Sequence, residues 1–279
     1  MNTFRELLKL GTSSLEKAGV PDAGSDAWAL MEFSFGIEKG YYFLHEDDKI
    51  EKEQQEEYEK LIAARAKRIP LQQITGTAWF MGYPFYVNEN VLTPRFDTEI
   101  LTEQVGKLLK PGMRILDLCT GSGCILLSLL AEYREWKLEG VGADISRAAL
   151  DVAEKNKKRL NVRARMIESN LFSDVEGSFD LIVTNPPYIA TGELKNLMPE
   201  VRDHEPWLAL DGKEDGLYYY REITKQAAEY LREGGWLCFE IGYDQGKALE
   251  QIMKEAGYRD IRIGKDLSGL DRTAIGRIE

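Results

Sequence analysis

Between residues 113 and 241, short apolar runs alternate with segments of helical periodicity. The apolar runs cover residues 113–118, 138–143, 162–167, 180–184 and 235–241, and helical segments follow from Gly123 and Ser146. Strands separated by helices form a doubly wound, mostly parallel sheet, because each crossover helix packs back onto a face of that sheet. The pattern therefore predicts an α/β domain of this type.

The first 68 residues instead show helical spacing. Apolar side chains recur at helical intervals at Phe4, Leu7, Leu8 and Leu15, and again at Trp28, Leu30, Met31 and Phe33. Residues 51–67 are charged on most of their faces, and we interpret the charged run at 51–57 as a solvated helix face without a function. These features predict a small all-helical domain over residues 1–72.

A change of pattern marks the boundary of this domain. Pro70 interrupts the helical periodicity, and residues 74–87 combine aromatic and β-branched residues with Gly76, Gly82 and Pro84. Such punctuation is typical of a short hairpin. We therefore predict a β-hairpin linker at residues 73–90, which joins the helical domain to the α/β domain at residues 91–279.

The balance of charges limits the classes of partner. The chain carries 36 Lys and Arg residues against 47 Asp and Glu, for a formal net charge of −11 at pH 7. No broad basic face is available to neutralise many phosphates, which argues against tight, sequence-independent binding of nucleic acid. A local basic groove, or docking on a basic partner protein, is compatible with this charge.

We expect neither a membrane segment nor a metal site. Residues 1–19 place charges within their apolar spacing, unlike a signal peptide or a membrane anchor, so a cytoplasmic protein is expected. The candidate metal ligands are three cysteines, Cys119, Cys124 and Cys238, and two distant histidines, His45 and His204. Because the cysteines are odd in number and lack paired spacing, zinc and a disulfide framework are disfavoured.

A turn of small residues follows the first predicted strand, which ends at Asp117. The turn comprises Cys119, Thr120, Gly121, Ser122 and Gly123. Such a turn lets the backbone approach a ligand, although a strand-to-helix turn without a ligand has the same form. Asp144 closes the second strand, where an acidic side chain can accept both ribose hydroxyls or, alternatively, cap the next helix. The two features indicate a nucleoside cofactor but do not distinguish NAD from S-adenosylmethionine.

The fourth predicted strand ends in Asn185-Pro186-Pro187-Tyr188. The prolines make a rigid exit from the strand and leave the Pro186 carbonyl free as an acceptor. An amide or aromatic amine has two in-plane N–H donors and a delocalised, poorly nucleophilic lone pair. If Asn185 Oδ1 and the Pro186 carbonyl accept these hydrogens, the nitrogen is aimed at a methyl group, and Tyr188 can stack on the substrate. No general base is needed in this scheme, and the alternative is an ordinary surface turn.

With this motif, the sequence resembles class I S-adenosylmethionine methyltransferases and, within them, the release factor glutamine methyltransferases. Motifs similar to that subfamily are Gln73-Ile74-Thr75-Gly76, Leu92-Thr93-Pro94-Arg95-Phe96-Asp97-Thr98-Glu99, Glu205-Pro206, Ala209-Leu210, Asp215-Gly216-Leu217, Glu240-Ile241-Gly242, Asp266-Leu267, Gly269 and Asp271-Arg272. The resemblance covers nearly the whole chain, including the helical domain. The Asn185 to Tyr188 motif alone is shared with enzymes that methylate amino groups of DNA and RNA.

The resemblance implies a Rossmann-like fold with a doubly wound, mostly parallel, seven-stranded sheet. It assigns S-adenosylmethionine to Asp117, Cys119, Thr120, Gly121, Ser122, Gly123, Asp144, Ile145, Asn170, Leu171 and Asn185. It assigns the substrate to Arg95, Asn185, Pro186, Pro187, Tyr188 and Glu205, with Asn185, Pro186 and Tyr188 as the catalytic residues. Two positions depart from the family, because Cys119 replaces a glycine and Asn170-Leu171 replace an acidic residue followed by an aromatic one.

The resemblance further implies methyl transfer to the glutamine side-chain amide in the Gly-Gly-Gln loop of peptide chain release factors, in support of translation termination. The helical domain would grip the release factor, and we expect a monomer without stable nucleic-acid binding. One alternative is an amino methyltransferase that acts on an extruded base of DNA or ribosomal RNA. The other is a non-catalytic binding module. The acidic charge disfavours the first, and the intact Asn185, Asp144 and Gly121 disfavour the second.

Overall fold

The helical periodicity near the N-terminus corresponds to five helices in the computed structural model, which describes residues 2–279. They are α1 (Phe4–Lys17), α2 (Ala23–Phe35), α3 (Lys39–His45), α4 (Lys52–Ala66) and α5 (Leu71–Thr75). Thr3 begins α1 with a capping box, because its hydroxyl accepts the Glu6 amide while the Glu6 carboxylate accepts the Thr3 amide. Gly36 ends α2 in the left-handed conformation, at φ 62°.

These helices share an apolar core. Its buried side chains include Leu7, Leu15, Leu30, Met31 and Tyr58. The charged helix α4 contributes Tyr58 and Ile62 to the core, whereas residues 51–57 are exposed except for the half-buried Gln55. Phe33, which the helical spacing placed among the apolar positions, is 52% exposed. Most of the apolar residues at the predicted helical spacing therefore lie in or against this core, and Phe33 is the exception among those named.

The helical unit extends to Gly76 and includes a second segment, Met198–His204. In that segment Glu200 accepts hydrogen bonds from Arg68 at 2.6 Å and from Arg65 at 2.9 Å, and Arg65 also pairs with Asp26 at 2.6 Å. Burial alone would raise the pKa of Glu200, but hydrogen bonds, that from Arg68 foremost, outweigh it and lower the pKa to about 2. The assignment of separate roles to residues 1–72, 73–90 and 91–279 stays a prediction.

The predicted hairpin consists of two antiparallel strands, β1 (Thr77–Phe80) and β2 (Tyr83–Tyr86). Its start was predicted too early, because Ile74 and Thr75 belong to α5. Proline is tolerated at the start of a helix, because the first backbone amides of a helix have no intrahelical acceptor. Helix α5 can therefore follow Pro70 directly. Gly76 then ends α5 in the left-handed conformation, at φ 65°.

The rest of the chain forms the predicted α/β unit. Its elements, together with the helix of the Met198–His204 segment, are α6 (Phe96–Gly106), β3 (Arg114–Leu118), α7 (Cys124–Glu132), β4 (Glu139–Asp144), α8 (Arg147–Arg159), β5 (Ala164–Glu168), β6 (Phe179–Thr184), α9 (Pro199–His204), α10 (Tyr218–Tyr230), β7 (Leu231–Glu240), α11 (Gly246–Glu255), β8 (Arg259–Lys265) and β9 (Asp271–Arg277). The sheet has seven strands in the order β5-β4-β3-β6-β7-β9-β8, and β9 runs antiparallel to both its neighbours. The doubly wound, mostly parallel fold is confirmed.

The direction of winding reverses at β3. The chain moves outward from β3 to β4 and β5, then returns to β6 and β7 on the other side of β3. The connections that leave β3 and β6 therefore diverge, and a crevice opens at the carboxyl ends of these strands. Buried apolar side chains cover both faces of the sheet, in two separate clusters. Within residues 2–279, no helix is long and apolar enough to cross a membrane.

Candidate active site

A cleft with an empty volume of about 1070 Å³ lies at this crevice. Many of the predicted site residues line it, namely Arg95, Cys119, Thr120, Gly121, Ser122, Asp144, Ile145, Asn170, Leu171, Asn185 and Pro187. Five others do not, namely Asp117, Gly123, Pro186, Tyr188 and Glu205. The structure therefore brings the two halves of the predicted site together.

The loop after β3 presents its backbone to the cleft. Cys119 has φ 56°, Gly121 has φ 55° and Gly123 has φ 78°, so three of the five residues 119–123 have a left-handed backbone conformation. A Cβ atom at Gly121 would meet no other atom within 4 Å, which shows that this position faces open space. At Gly123 a Cβ atom would lie 2.8 Å from Leu127 Cδ1, so glycine is needed for the close packing of α7.

Asp117 supports this loop from the protein interior. Its side chain is buried, and its Oδ2 accepts a hydrogen bond from the Thr120 hydroxyl at 2.6 Å. Burial raises the pKa of this carboxyl to about 7, against the opposing effect of the Thr120 hydrogen bond. Asp117 therefore shapes the loop through Thr120 and does not face the cleft itself.

Asp144 lies at the end of β4 with its carboxylate at the cleft. Its Oδ2 accepts the Gly121 amide at 2.9 Å, and its Oδ1 accepts the Ser146 amide at 2.8 Å. The cap of α8 is Ser146, whose hydroxyl accepts the Ala149 amide, so Asp144 does not cap that helix. Each carboxylate oxygen keeps a further lone pair, which can accept a ribose hydroxyl. Burial raises the pKa of Asp144 in spite of these hydrogen bonds.

The departures from the family pattern lie on the same cleft. Cys119 occupies a left-handed position that glycine adopts at no steric cost, which explains why glycine suits it. Leu171 has φ 52° and, like Asn170, lines the cleft. The Ser169 hydroxyl donates to the Leu171 carbonyl at 2.7 Å and thereby stabilises this turn. The residues present thus fit an adenosine-like group, with an acid for the ribose and an apolar side chain beside it.

The Asn185-Pro186-Pro187-Tyr188 motif after β6 lies partly at the cleft and partly in the core. The Asn185 amide nitrogen donates to the Thr98 hydroxyl at 3.4 Å, which leaves Asn185 Oδ1 as an available acceptor at the cleft. Pro186 is buried behind this position. Tyr188 does not reach the cleft, because its hydroxyl donates to Glu240 Oε1 at 3.3 Å and its ring packs against the core. The structure therefore does not place Tyr188 where its ring could stack on a substrate in the cleft.

Glu205 acts on the cleft through its neighbours. Its carboxylate accepts the Arg95 guanidinium at 2.7 Å and the Thr93 amide at 3.2 Å, and its side chain is only 1% exposed. Burial raises the pKa of Glu205, although Arg95 opposes this effect. The pair ties the segment before α6 to the loop that follows the Asn185 motif, and it fixes Arg95 at the cleft wall.

Sequence reasoning missed several lining residues, among them Thr98, Leu208 and Tyr219. Thr98 lies in a motif that resembles the family, but nothing in the sequence connects it with Asn185. Tyr219 is one of three consecutive tyrosines at the start of α10, and no sequence signal separates it from its neighbours. Among residues 2–279, no group of three or more His, Cys, Asp or Glu side chains could hold a metal ion.

Comparison with known proteins gives matches along the chain. The model of the PrmC N-terminal domain matches residues 6–76, and that of the methyltransferase small domain matches residues 95–201. The release factor glutamine methyltransferase of Geobacter sulfurreducens is 37% identical over 277 residues, which cover 99% of this chain and 97% of that protein. The same-named protein of Cereibacter sphaeroides is 40% identical over 275 residues, which cover 98% of each chain.

Solved structures give the same fold. A methyltransferase from Pyrococcus furiosus matches with a TM-score of 0.53 and 17% identity, over 70% of this chain and 89% of that one. A T. thermophilus 16S rRNA methyltransferase in complex with AdoMet and guanosine also has a TM-score of 0.53, with 19% identity, over 73% of this chain and 50% of that one. At these identities the similarity concerns the fold alone.

Proposed function

The chain belongs to the family of release factor glutamine methyltransferases, and we propose that it methylates the side-chain amide nitrogen of the glutamine in the Gly-Gly-Gln loop of a peptide chain release factor. The observation that carries this proposal is Asn185, at the carboxyl end of β6, with its Oδ1 available at the cleft and its amide nitrogen engaged by Thr98. An acceptor oxygen in a rigid setting suits a planar amide substrate.

S-adenosylmethionine is the methyl donor, and it supplies an electrophilic methyl group on a sulfonium. On this chain Asp144 would bind the ribose hydroxyls, and residues 119–122 would face the cofactor with their backbone. Leu171 and Asn170 would border the adenine. The open space at Gly121 and the remaining lone pairs of Asp144 support this assignment.

The chain's own contribution is positioning of the substrate amide. Asn185 Oδ1 accepts one amide hydrogen at the cleft, and the carbonyl of the adjacent Pro186, a residue that does not itself line the cleft, is the proposed acceptor of the other. These contacts turn the nitrogen toward the methyl group and stabilise the charge that develops on it. Asp144 is the one carboxylate among the residues that line the described cleft, and both its oxygens already accept backbone amides. We therefore assign no general base, and the proton leaves to water after transfer.

The helical unit is proposed to contact the release factor. On α3, Phe43 is 68% exposed and Leu44 is 83% exposed, and adjacent exposed apolar side chains are typical of a protein contact. The net charge of −11 supports a protein partner over stable nucleic-acid binding. We further propose that the enzyme acts as a monomer in the cytoplasm, where release factors work.

A transfer assay with several acceptors tests the function. Purified protein and labelled S-adenosylmethionine are incubated with a release factor, with the same factor carrying alanine for the loop glutamine, or with ribosomal RNA or DNA. We expect label in the unaltered release factor only. Label in nucleic acid, with none in the release factor, would show that the substrate is a base.

A further inference from the structure

Asn185, Thr98 and Glu240 form a polar chain that runs from the cleft wall into the protein interior, and the proposed mechanism uses only Asn185. The Asn185 amide nitrogen donates to the Thr98 hydroxyl at 3.4 Å. Thr98 is 3% exposed and Glu240 is 2% exposed. The Glu240 carboxyl accepts the Tyr188 hydroxyl at 3.3 Å through Oε1, while its Oε2 has no hydrogen-bond partner within residues 2–279.

The number of hydrogens on each group determines which group donates in each of these hydrogen bonds. The Thr98 hydroxyl has one hydrogen, and because it accepts from Asn185 it can donate that hydrogen elsewhere. The Glu240 carboxyl is the acceptor beside it, and interaction with Thr98 lowers the pKa of Glu240 against the dominant effect of burial, which raises that pKa to about 7. Because Thr98 accepts from Asn185, its own hydrogen remains for the unpartnered Glu240 Oε2, and a hydrogen bond between the two would run from Thr98 to Glu240.

Two charged side chains act electrostatically on the Glu240 carboxyl. The charged groups that face Glu240 are Arg272, which favours its ionised form, and Asp97, which disfavours it. Arg272 contacts Asp97 at 3.5 Å and Asp266 at 2.9 Å. In either protonation state the carboxyl has an oxygen that can accept the Thr98 hydrogen.

We propose that Thr98 and Glu240 are positioning residues that fix the orientation of the Asn185 amide, so that its oxygen rather than its nitrogen faces the cleft. The two orientations of an Asn amide are nearly equal in shape, and hydrogen bonds decide between them. The reversed orientation would point N–H groups at the N–H donors of the substrate. The proposal rests on the proposed function, because only an amide or amine substrate requires an oxygen at this position.

The kinetic test uses two replacements of nearly equal size. Thr98→Val keeps the shape but removes the hydroxyl, whereas Thr98→Ser keeps the hydroxyl. We expect Thr98→Val to lower kcat about ten- to hundredfold, as for a misplaced reacting group, without a matching change in KM for the release factor or in the Kd of the cofactor. Thr98→Ser should stay within about threefold of the wild type, a much smaller loss than misplacement causes. A wild-type kcat in Thr98→Val, or equal losses in both variants, would overturn the proposal.

A spectroscopic test does not depend on turnover. In the 15N–1H spectrum of the protein with cofactor, the Asn185 side-chain signals are assigned by their loss in Asn185→Asp. We expect Thr98→Val to shift these signals and Thr98→Ser to preserve them. Identical Asn185 signals in the wild type and Thr98→Val would overturn the proposed orientation. Absence of methyl transfer by the wild type would instead contradict the proposed function, and the spectra would still decide the role of Thr98.

Discussion

Single residues of the loop after β3, residues 119–123, are held in backbone conformations that most side chains avoid. Cys119 has φ 56°, whereas Cys124, five residues later, is the first residue of α7 and has ordinary helical geometry. A side chain with a Cβ atom costs about 1 kcal/mol or more in the left-handed region. The chain thus accepts strain at a position that faces its cleft, as is common at functional sites.

We predict that Cys119→Gly raises the free energy of unfolding by up to about 1 kcal/mol, because glycine relieves this strain. The matched control is Cys124→Gly, which places glycine in a helix and should lower the free energy of unfolding by about 1 kcal/mol. Denaturant unfolding of both variants measures the difference. A loss of stability in Cys119→Gly as large as that in Cys124→Gly would contradict the account.

Between elements, one buried side chain joins the hairpin to the loop after β3. Asn156 on α8 is fully buried, and its Oδ1 accepts the Tyr86 amide at 2.6 Å. Its amide nitrogen donates to the Tyr86 carbonyl at 3.0 Å and to the Ser122 carbonyl at 2.9 Å. This one amide therefore satisfies backbone groups of β2 and of the loop that lines the cleft.

Replacement of Asn156 by alanine leaves these backbone groups without partners. We predict that Asn156→Ala lowers the free energy of unfolding by about 2–4 kcal/mol, the cost of unsatisfied buried groups, and weakens cofactor binding through Ser122. Lys158→Ala, an exposed change on the same helix, should alter stability by less than about 0.5 kcal/mol. Thermal unfolding and calorimetric titration with the cofactor measure both effects, and equal stability of the two variants would disprove the role of Asn156.

The elements differ in how far the sequence could predict them. β3, β4 and β6 were predictable because central parallel strands are buried on both faces and appear as apolar runs. β8 was not, because it lies at the sheet edge and carries charged side chains such as Arg259 and Lys265. In the site, the contact between Asn185 and Thr98 joins residues 87 apart in sequence. Local pattern contains no information about such a pairing, nor about the contact of Tyr188 with Glu240.

Across the whole molecule, charge is distributed unevenly between surface and interior. The net charge is −11, yet Asp117 and Glu240 are buried carboxyls whose pKa burial raises to about 7. Neither lines the cleft, where Arg95 and Asp144 are the charged side chains among the described lining residues. A cleft with so few charges suits a neutral amide substrate, and the buried carboxyls make stability depend on pH.

The pH dependence can be isolated with Glu240→Gln, which removes the titrating group. The pKa of Glu240 in the folded protein, about 7, lies above its ordinary value of 4.5. The folded state therefore holds a proton that the unfolded chain releases, and the associated stability is lost as the pH rises through about 7. We predict that the unfolding free energy of the wild type, relative to Glu240→Gln, falls by about 3 kcal/mol from about pH 4 to about pH 8. A difference that stays constant, or rises with pH, would show that the carboxyl does not titrate as expected.

The orientation of a substrate amide by Asn185 is tested most directly by single-turnover transfer with Asn185→Ala, at saturating cofactor and release factor. We predict that the rate falls by about a hundredfold or more, as when a transition-state hydrogen bond is removed, while the Kd of the cofactor changes by less than about twofold. Asn170→Ala, on the cofactor side of the cleft, should instead raise that Kd and leave the saturated rate nearly unchanged. A rate in Asn185→Ala close to that of the wild type would contradict the mechanism.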